Sequence, residues 1–265
     1  MSLPNELILT IFKHIDNKHH LHHLLLVCKR FYLITQEIFS WRFASLNISY
    51  MTKHNITDDK LKHMTFLKRL NLYNNHCIYN IKSLTNLIEL NISHNHAIDN
   101  NQLLVLTTLK RLNLWVNRKI TNETVLQLTN LEYLDLRCND IINNTTLKCL
   151  AKLNTLLIGA NDTIGDAILS LSYLTRLDLW GNQNIKNSTL ILLTQLKSLS
   201  LRRNNIITNE TVLQLTNLQF LNLRDNRTIT LNTLKALSQL TKMDITNNLL
   251  IRPEDVTWLK INPIV

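Results

Sequence analysis

Between residues 67 and 248 one nine-residue pattern, L-x-x-L-x-L-x-x-N, recurs nine times. It runs "LKRLNLYNN" to Asn75, "LIELNISHN" to Asn95, "LKRLNLWVN" to Asn117, "LEYLDLRCN" to Asn139 and "LNTLLIGAN" to Asn161. It continues as "LTRLDLWGN" to Asn182, "LKSLSLRRN" to Asn204, "LQFLNLRDN" to Asn226 and "LTKMDITNN" to Asn248. Successive asparagines lie 20 to 22 residues apart, and the string "ITNETVLQLTNL" occurs twice, at 120–131 and 207–218. A unit this short cannot bury its own apolar face, so it must stack on its neighbours. That requirement excludes most compact folds at once.

The spacing is that of the leucine-rich repeat. It predicts an α/β solenoid, with a parallel sheet on the concave side and short helices on the convex side. Alternation along each short strand sends the leucines inward and the residues between them to the other face. The closing Asn both donates and accepts hydrogen bonds, so it suits backbone groups that the turn would otherwise bury unpaired. An Ile commonly follows three residues on (Ile98, Ile120, Ile164, Ile185, Ile229), then a Thr/Asn/Asp pair and an amphipathic turn. Thr121–Asn122 reads as a helix start, with Glu123 suited to the positive end of the helix dipole.

The regular repeats span 67–248, inside an array expected over 43–265. Residues 43–66 read as a degenerate first repeat, with Met51 in place of the Asn. Residues 249–265 read as a C-terminal cap, in which Pro253 opens a helix and Trp258 covers the end of the core.

Residues 1–42 stand outside this period. Their pattern predicts three short helices, near 4–15, 20–28 and 29–39. Leu7, Ile8, Leu9, Ile11, Phe12 and Ile15 cover far more of the first helix than the roughly 100° that one buried stripe needs. A unit of some 40 residues is at the lower limit for closing its own core, so part of this surface is expected to await a partner. At roughly 1.5–3 kcal/mol per buried side chain, about six of them would offset the roughly 4–15 kcal/mol cost of association.

The stretches "LPNELILTIFKHID", "LHHLLLVCKRFYLI" and "FSWR" resemble the F-box from Leu3 to Arg42. Two departures are the "DNKHH" loop, usually Asp-Pro-rich, and Phe31 where Trp is usual. The resemblance implies docking on the Skp-type adaptor of a cullin scaffold. Carried over by matching position, the adaptor contacts would be Leu3, Pro4, Glu6, Leu7, Ile11, Ile15, Leu21, Val27, Cys28 and Trp41. An F-box joined to leucine-rich repeats further implies the substrate-recognition subunit of a ubiquitin ligase, itself non-catalytic. The plainer alternative is a helical head that only seals the repeats of a stand-alone binding scaffold.

The third and seventh positions of the repeat supply large side chains to the exposed sheet face. These are Arg69, Tyr73, Arg111, Trp115, Tyr133, Arg137, Arg176, Trp180, Arg202, Phe220 and Arg224. Such types are enriched at interface hot spots, and the core cannot claim them. Trp115 and Trp180 stand three strands apart, about 14 Å at 4.7–4.9 Å per strand. Fifth positions are mostly amide or acid (Asn71, Asn91, Asn113, Asp135, Asp178, Asn222, Asp244), which suggests an amide ladder between strands.

A net charge of +10 raises the question of nucleic acid. Asp135 and Asp178 in the floor would repel a phosphate backbone, so an acidic protein partner fits the exposed cations better. With 3 glycines there is no phosphate-cradling loop, no catalytic constellation is legible, and no cofactor is expected. His19, His20, His22 and His23 have helical spacing for a metal but no acid or Cys beside them in sequence, so no metal site is assigned. No apolar run reaches the roughly 18 residues of a membrane span. Cys28, Cys77, Cys138 and Cys149 follow no disulfide framework and suggest a reducing compartment, cytoplasm or nucleus, or host cytoplasm if a virus or bacterium is the source.

Overall fold

The computed structural model describes residues 45–49, 56–258 and 260–261. The expected helical head, its ten adaptor-contact residues, the His19–His23 cluster and Met51 lie outside the described residues. Those described fall into two compact units, one ending at Leu109 and the other beginning at Lys110.

The first unit holds β1 (Ser45–Asn47), α1 (Asp58–Leu61), β2 (Arg69–Asn71), β3 (Glu89–Asn91) and α2 (Asn100–Leu103). β1 pairs in parallel with β2, and β2 with β3, residue for residue: Leu46 opposite Leu70, Leu70 opposite Leu90. Leu46 and Ile48 are buried, so the stretch before the first regular repeat contributes a strand to the same core.

In the second unit β4 (Arg111–Asn113), β5 (Tyr133–Asp135), β6 (Thr155–Leu157) and β7 (Arg176–Asp178) are followed by β8 (Ser198–Ser200), β9 (Phe220–Asn222), β10 (Lys242–Asp244) and β11 (Lys260–Ile261). All are parallel and paired in sequence order. Between them lie α3 (Asn122–Gln127), α4 (Asn144–Leu147), α5 (Asn187–Leu190), α6 (Asn209–Gln214) and α7 (Leu231–Ala236). Two 3₁₀ turns, Asp166–Ser170 and Pro253–Val256, take the place of helices in their repeats. Each unit is a stretch of leucine-rich-repeat solenoid.

The period of two explains the core. Leu174, Leu177 and Leu179 of one repeat, and their counterparts in the others, are almost wholly buried, while Arg176 and Trp180 lie on the other face. The closing asparagines act as expected. Asn204 is fully buried; its Nδ2 donates to the carbonyls of Leu179 (3.3 Å) and Asn182 (2.9 Å) in the repeat before. Its Oδ1 accepts from the amides of Ile206 and Ile207. Asn139 and Asn226 repeat the arrangement.

A second polar row, absent from the sequence expectations, joins the helix starts. Asn122, Asn187 and Asn209 each accept the amide of a residue in the next repeat (Asn143, Thr208, Thr230) and a buried threonine hydroxyl from the same repeat (Thr146, Thr211, Thr233). This explains the recurring Asn and Thr there. They satisfy backbone and one another between repeats, where helices of four to six residues satisfy little by themselves.

One expectation at the C-terminal cap is corrected. Trp258 is 53% exposed, so it does not cover the core. Pro253 does open its turn, and Ile251 and Val256 are the buried side chains instead. The 3₁₀ turn holds Val256 fully buried, while Trp258 follows the turn and faces solvent.

The residue before each closing Asn is left-handed: Asn74, His94, Val116, Cys138, Ala160, Gly181, Arg203, Asp225 and Asn247 all have φ between 48° and 57°. This conformation costs an ordinary L-residue about 1–2 kcal/mol and is least suited to a β-branched one. Val116 is half-buried, so its packing offsets only part of that strain. Val116→Asn, the residue at positions 74 and 247, is expected to stabilise the chain by about 1 kcal/mol. A raised urea midpoint would show it; a lowered one would mean that the packing of Val116 outweighs the strain.

Candidate protein-interaction face

The face opposite the core is assembled from three parallel rows, because the strands pair in register. In the second unit the third-position row runs Arg111, Tyr133, Thr155, Arg176, Ser198, Phe220, Lys242. The fifth-position row runs Asn113, Asp135, Leu157, Asp178, Ser200, Asn222, Asp244. The seventh is Trp115, Arg137, Gly159, Trp180, Arg202, Arg224, Thr246. All the sequence-predicted residues numbered 111 and above therefore share one face. In the first unit Arg69 and Tyr73 share a face with Glu89, which lies 3.6 Å from the Arg69 guanidinium. Tyr73 meets His94 edge-on at 5.4 Å, and burial, with the neighbouring His96 second, holds His94 below the usual histidine range.

The fifth-position row is not an amide ladder between strands. Each Asn and Asp in it turns along its own strand, its Oδ1 accepting the amide two residues on: Asn113 from Trp115, Asp178 from Trp180, Asn222 from Arg224, Asp244 from Thr246. Asn and Asp have this reach, and the strand ends there, so the amide at position seven would otherwise lack a partner. The row positions the seventh residue. Two residues break it: Leu157, apolar and only 8% exposed, and Ser200.

The large side chains pair across neighbouring strands. The Arg111 guanidinium lies 4.1 Å from the Tyr133 ring centre, Arg137 lies 5.2 Å from Trp115, and Arg202 lies 5.4 Å from Trp180. Contacts of this kind contribute about 0.5–1 kcal/mol each where solvent remains. They also fix the rings, so the face is preorganised. Gly159 is required beneath Trp180: a Cβ there would stand 2.9 Å from the Trp180 Cβ and 3.0 Å from its carbonyl oxygen.

Asp135 is the exception among the acids. Fully buried, it accepts from Arg137 Nε (3.0 Å) and from an Arg137 terminal nitrogen (2.7 Å) as well as from the Arg137 amide. Burial opposes the Arg137 charge, but the hydrogen bond and charge of Asp135 outweigh it and hold the guanidinium protonated above its ordinary range. Burial, and then the Asp135 charge, push the Tyr133 hydroxyl up. Asp135 is therefore neutralised and out of reach, and the expectation that it would repel a phosphate backbone does not hold. The pair was missed in the sequence, where its signal was an Asp-x-Arg on one strand face.

Among the described residues no group of three or more His, Cys, Asp and Glu could hold a metal, and no helix is long and apolar enough to cross a membrane.

Residues 1–47 match the F-box-like family model. The chain joins an F-box-like segment to leucine-rich repeats. Solved structures with the same repeat fold include an internalin of Listeria monocytogenes, 24% identical over 82% of this chain and 74% of that one, with a TM-score of 0.56. A leucine-rich-repeat protein of Leptospira interrogans is 22% identical over 74% of this chain, which spans about half of that one (53%), with a TM-score of 0.57. The Toll–Spatzle complex of Drosophila contains a chain 18% identical over 77% of this one and 31% of its own length, with a TM-score of 0.57. At these identities the likeness concerns the fold. No curated protein matched the sequence. An F-box-like segment with a repeat face of arginines and aromatics supports a role in protein–protein interaction.

Proposed function

We propose that the chain is the substrate-recognition subunit of a cullin-type ubiquitin ligase, acting in the cytoplasm or nucleus. Its F-box-like segment docks the Skp-type adaptor, and its repeat face holds a protein substrate. The observation that carries this reading is the F-box-like match over residues 1–47, directly ahead of the repeats. The chain would perform no bond chemistry. It would raise the effective concentration of substrate lysines beside the ligase's charged enzyme, a gain available from geometry alone.

Recovery of the Skp-type adaptor on the full chain tests the docking half. Leu3→Ala/Pro4→Ala is expected to reduce recovery at least tenfold while circular dichroism of the repeats stays unchanged. Equal recovery by both forms, or by neither, removes the ligase reading and leaves a binding scaffold.

A nucleic-acid reading gains some ground from Asp135, whose charge is cancelled. It requires binding that falls steeply with salt, since every phosphate contact releases a counterion. A salt-titrated mobility shift with a short duplex separates the two, and the protein-binding reading expects no shift at 150 mM salt.

A further inference from the structure

Two clasps of one design stand on the second unit's sheet face. In each, a Trp at the seventh position of one strand is covered by an Arg at the seventh position of the next: Trp115 by Arg137, Trp180 by Arg202. They differ at the fifth position of both strands: Asn113 and Asp135 in the first, Asp178 and Ser200 in the second. On β5 the fifth position is Asp135, which clamps Arg137 through two hydrogen bonds. On β8 the fifth position is Ser200, and Arg202 has no ion pair among the described residues; its Nε is buried without a hydrogen-bond partner. An unmatched buried donor costs about 1–3 kcal/mol. The first clasp is complete within the chain. In the second no carboxylate of the described residues pairs with the arginine.

The neighbours deepen the deficit. Arg224, next along the row, also has a buried Nε without a hydrogen-bond partner. Its nearest acid, Asp225, is 3.9 Å away and is held closer, at 3.1 Å, by Arg203. Arg176 on β7 has no ion pair among the described residues, and Lys242 is exposed on β10. The acids in the same rows are Asp178, whose Oδ1 accepts the Trp180 amide, and Asp244, only 6% exposed and engaged with Thr246. Neither replaces Asp135.

We propose that the terminal guanidinium nitrogens of Arg202, over Trp180, and of its neighbour Arg224 receive an aspartate or glutamate side chain from the bound protein, whose carboxylate balances their charge as Asp135 balances that of Arg137. The assignment rests on the reading of this face as the substrate face, and it names what the face selects: an acidic segment, with an apolar side chain against Trp180. The chain's own clasp shows a carboxylate satisfying a guanidinium held over a tryptophan. An arginine fork meets a carboxylate with two parallel bonds, which gives direction as well as affinity.

Ser200→Asp tests the idea from inside. It should install the Asp135 arrangement on β8, neutralise Arg202 and add the turn hydrogen bond seen at every acid in the row. The full wild-type chain is immobilised and a library of displayed twelve-residue peptides is selected on it, with Ser200→Asp and Arg202→Gln as counter-targets. Selected peptides are expected to carry Asp or Glu, to lose at least tenfold in binding when that residue is amidated, and to bind both variants at least tenfold more weakly. Melting of Ser200→Asp at or above the wild-type temperature excludes misfolding; if it melts earlier, Arg202→Gln alone carries the comparison.

Peptides retained equally by the variants, or a selection without acidic enrichment, overturn the proposal. So does binding only of phosphoserine versions of the peptides, or only of a twelve-nucleotide single strand. Because no adaptor is present, the outcome is separate from docking. A chain that binds acidic peptides but no adaptor keeps this inference and loses the ligase; the reverse result does the opposite.

Discussion

Replacing Asn204 by Ala is expected to cost about 3–5 kcal/mol, at the upper end for a single substitution. The side chain is fully buried and makes four hydrogen bonds. Its removal strands the amides of Ile206 and Ile207 and the Asn182 carbonyl; the Leu179 carbonyl keeps the Asn182 amide. Each buried group without a partner costs about 1–3 kcal/mol, reduced where a water enters the space. Gln214→Ala, exposed at the end of α6, should stay within about 0.5 kcal/mol. Urea unfolding measures both. The m-value should also fall for Asn204→Ala, because a solenoid holds together only through contacts between neighbouring repeats and one broken step lets the two sides unfold separately. A loss below about 1 kcal/mol would mean that solvent replaces the amide and that the asparagine row is not what ties the repeats together.

The asparagine row was legible because its chemistry leaves no substitute. Only an amide donates up to one repeat's carbonyls while accepting from its own turn, and the period of 20 to 22 residues repeats the demand. The leucines were legible for a similar reason, since strand alternation fixes which side each faces. The face was legible as a list of residues but not as a set of contacts. Fifth-position Asn and Asp looked like partners for the neighbouring strand, yet they cap their own strand's end, because the amide two residues on is nearer than any cross-strand group. The strength of the Asp135–Arg137 pair and the orphaned Nε of Arg202 depend on how deeply those atoms are buried, and that information is three-dimensional. Trp258 departs from its expected place: size and apolarity suit a plug, but Ile251 and Val256 are the side chains buried there.

Asp135→Asn is expected to destabilise the second unit by about 2–4 kcal/mol, and Asp135→Ala by more. The carboxylate is buried and its partner Arg137 is 29% exposed, so the pair is screened little by salt. Breaking such a pair leaves the surviving charge partly desolvated with nothing to balance it, which costs more than the pair itself contributes. Asparagine keeps the acceptor for the Arg137 amide, as Asn222 does for Arg224, so the difference between the two variants isolates the turn hydrogen bond. Thermal melts in 0.05 and 0.5 M salt measure both; a loss that disappears at high salt would place the pair in solvent rather than in the sheet floor. The Tyr133 hydroxyl should titrate lower in Asp135→Asn but not return to its ordinary range, since burial is the larger cause of its shift and persists. The same substitution releases Arg137 against Trp115, which makes the first clasp resemble the second. A variant that loses stability and gains affinity for acidic peptides would show that the chain spends one carboxylate on its own fold and leaves the equivalent place open for a partner.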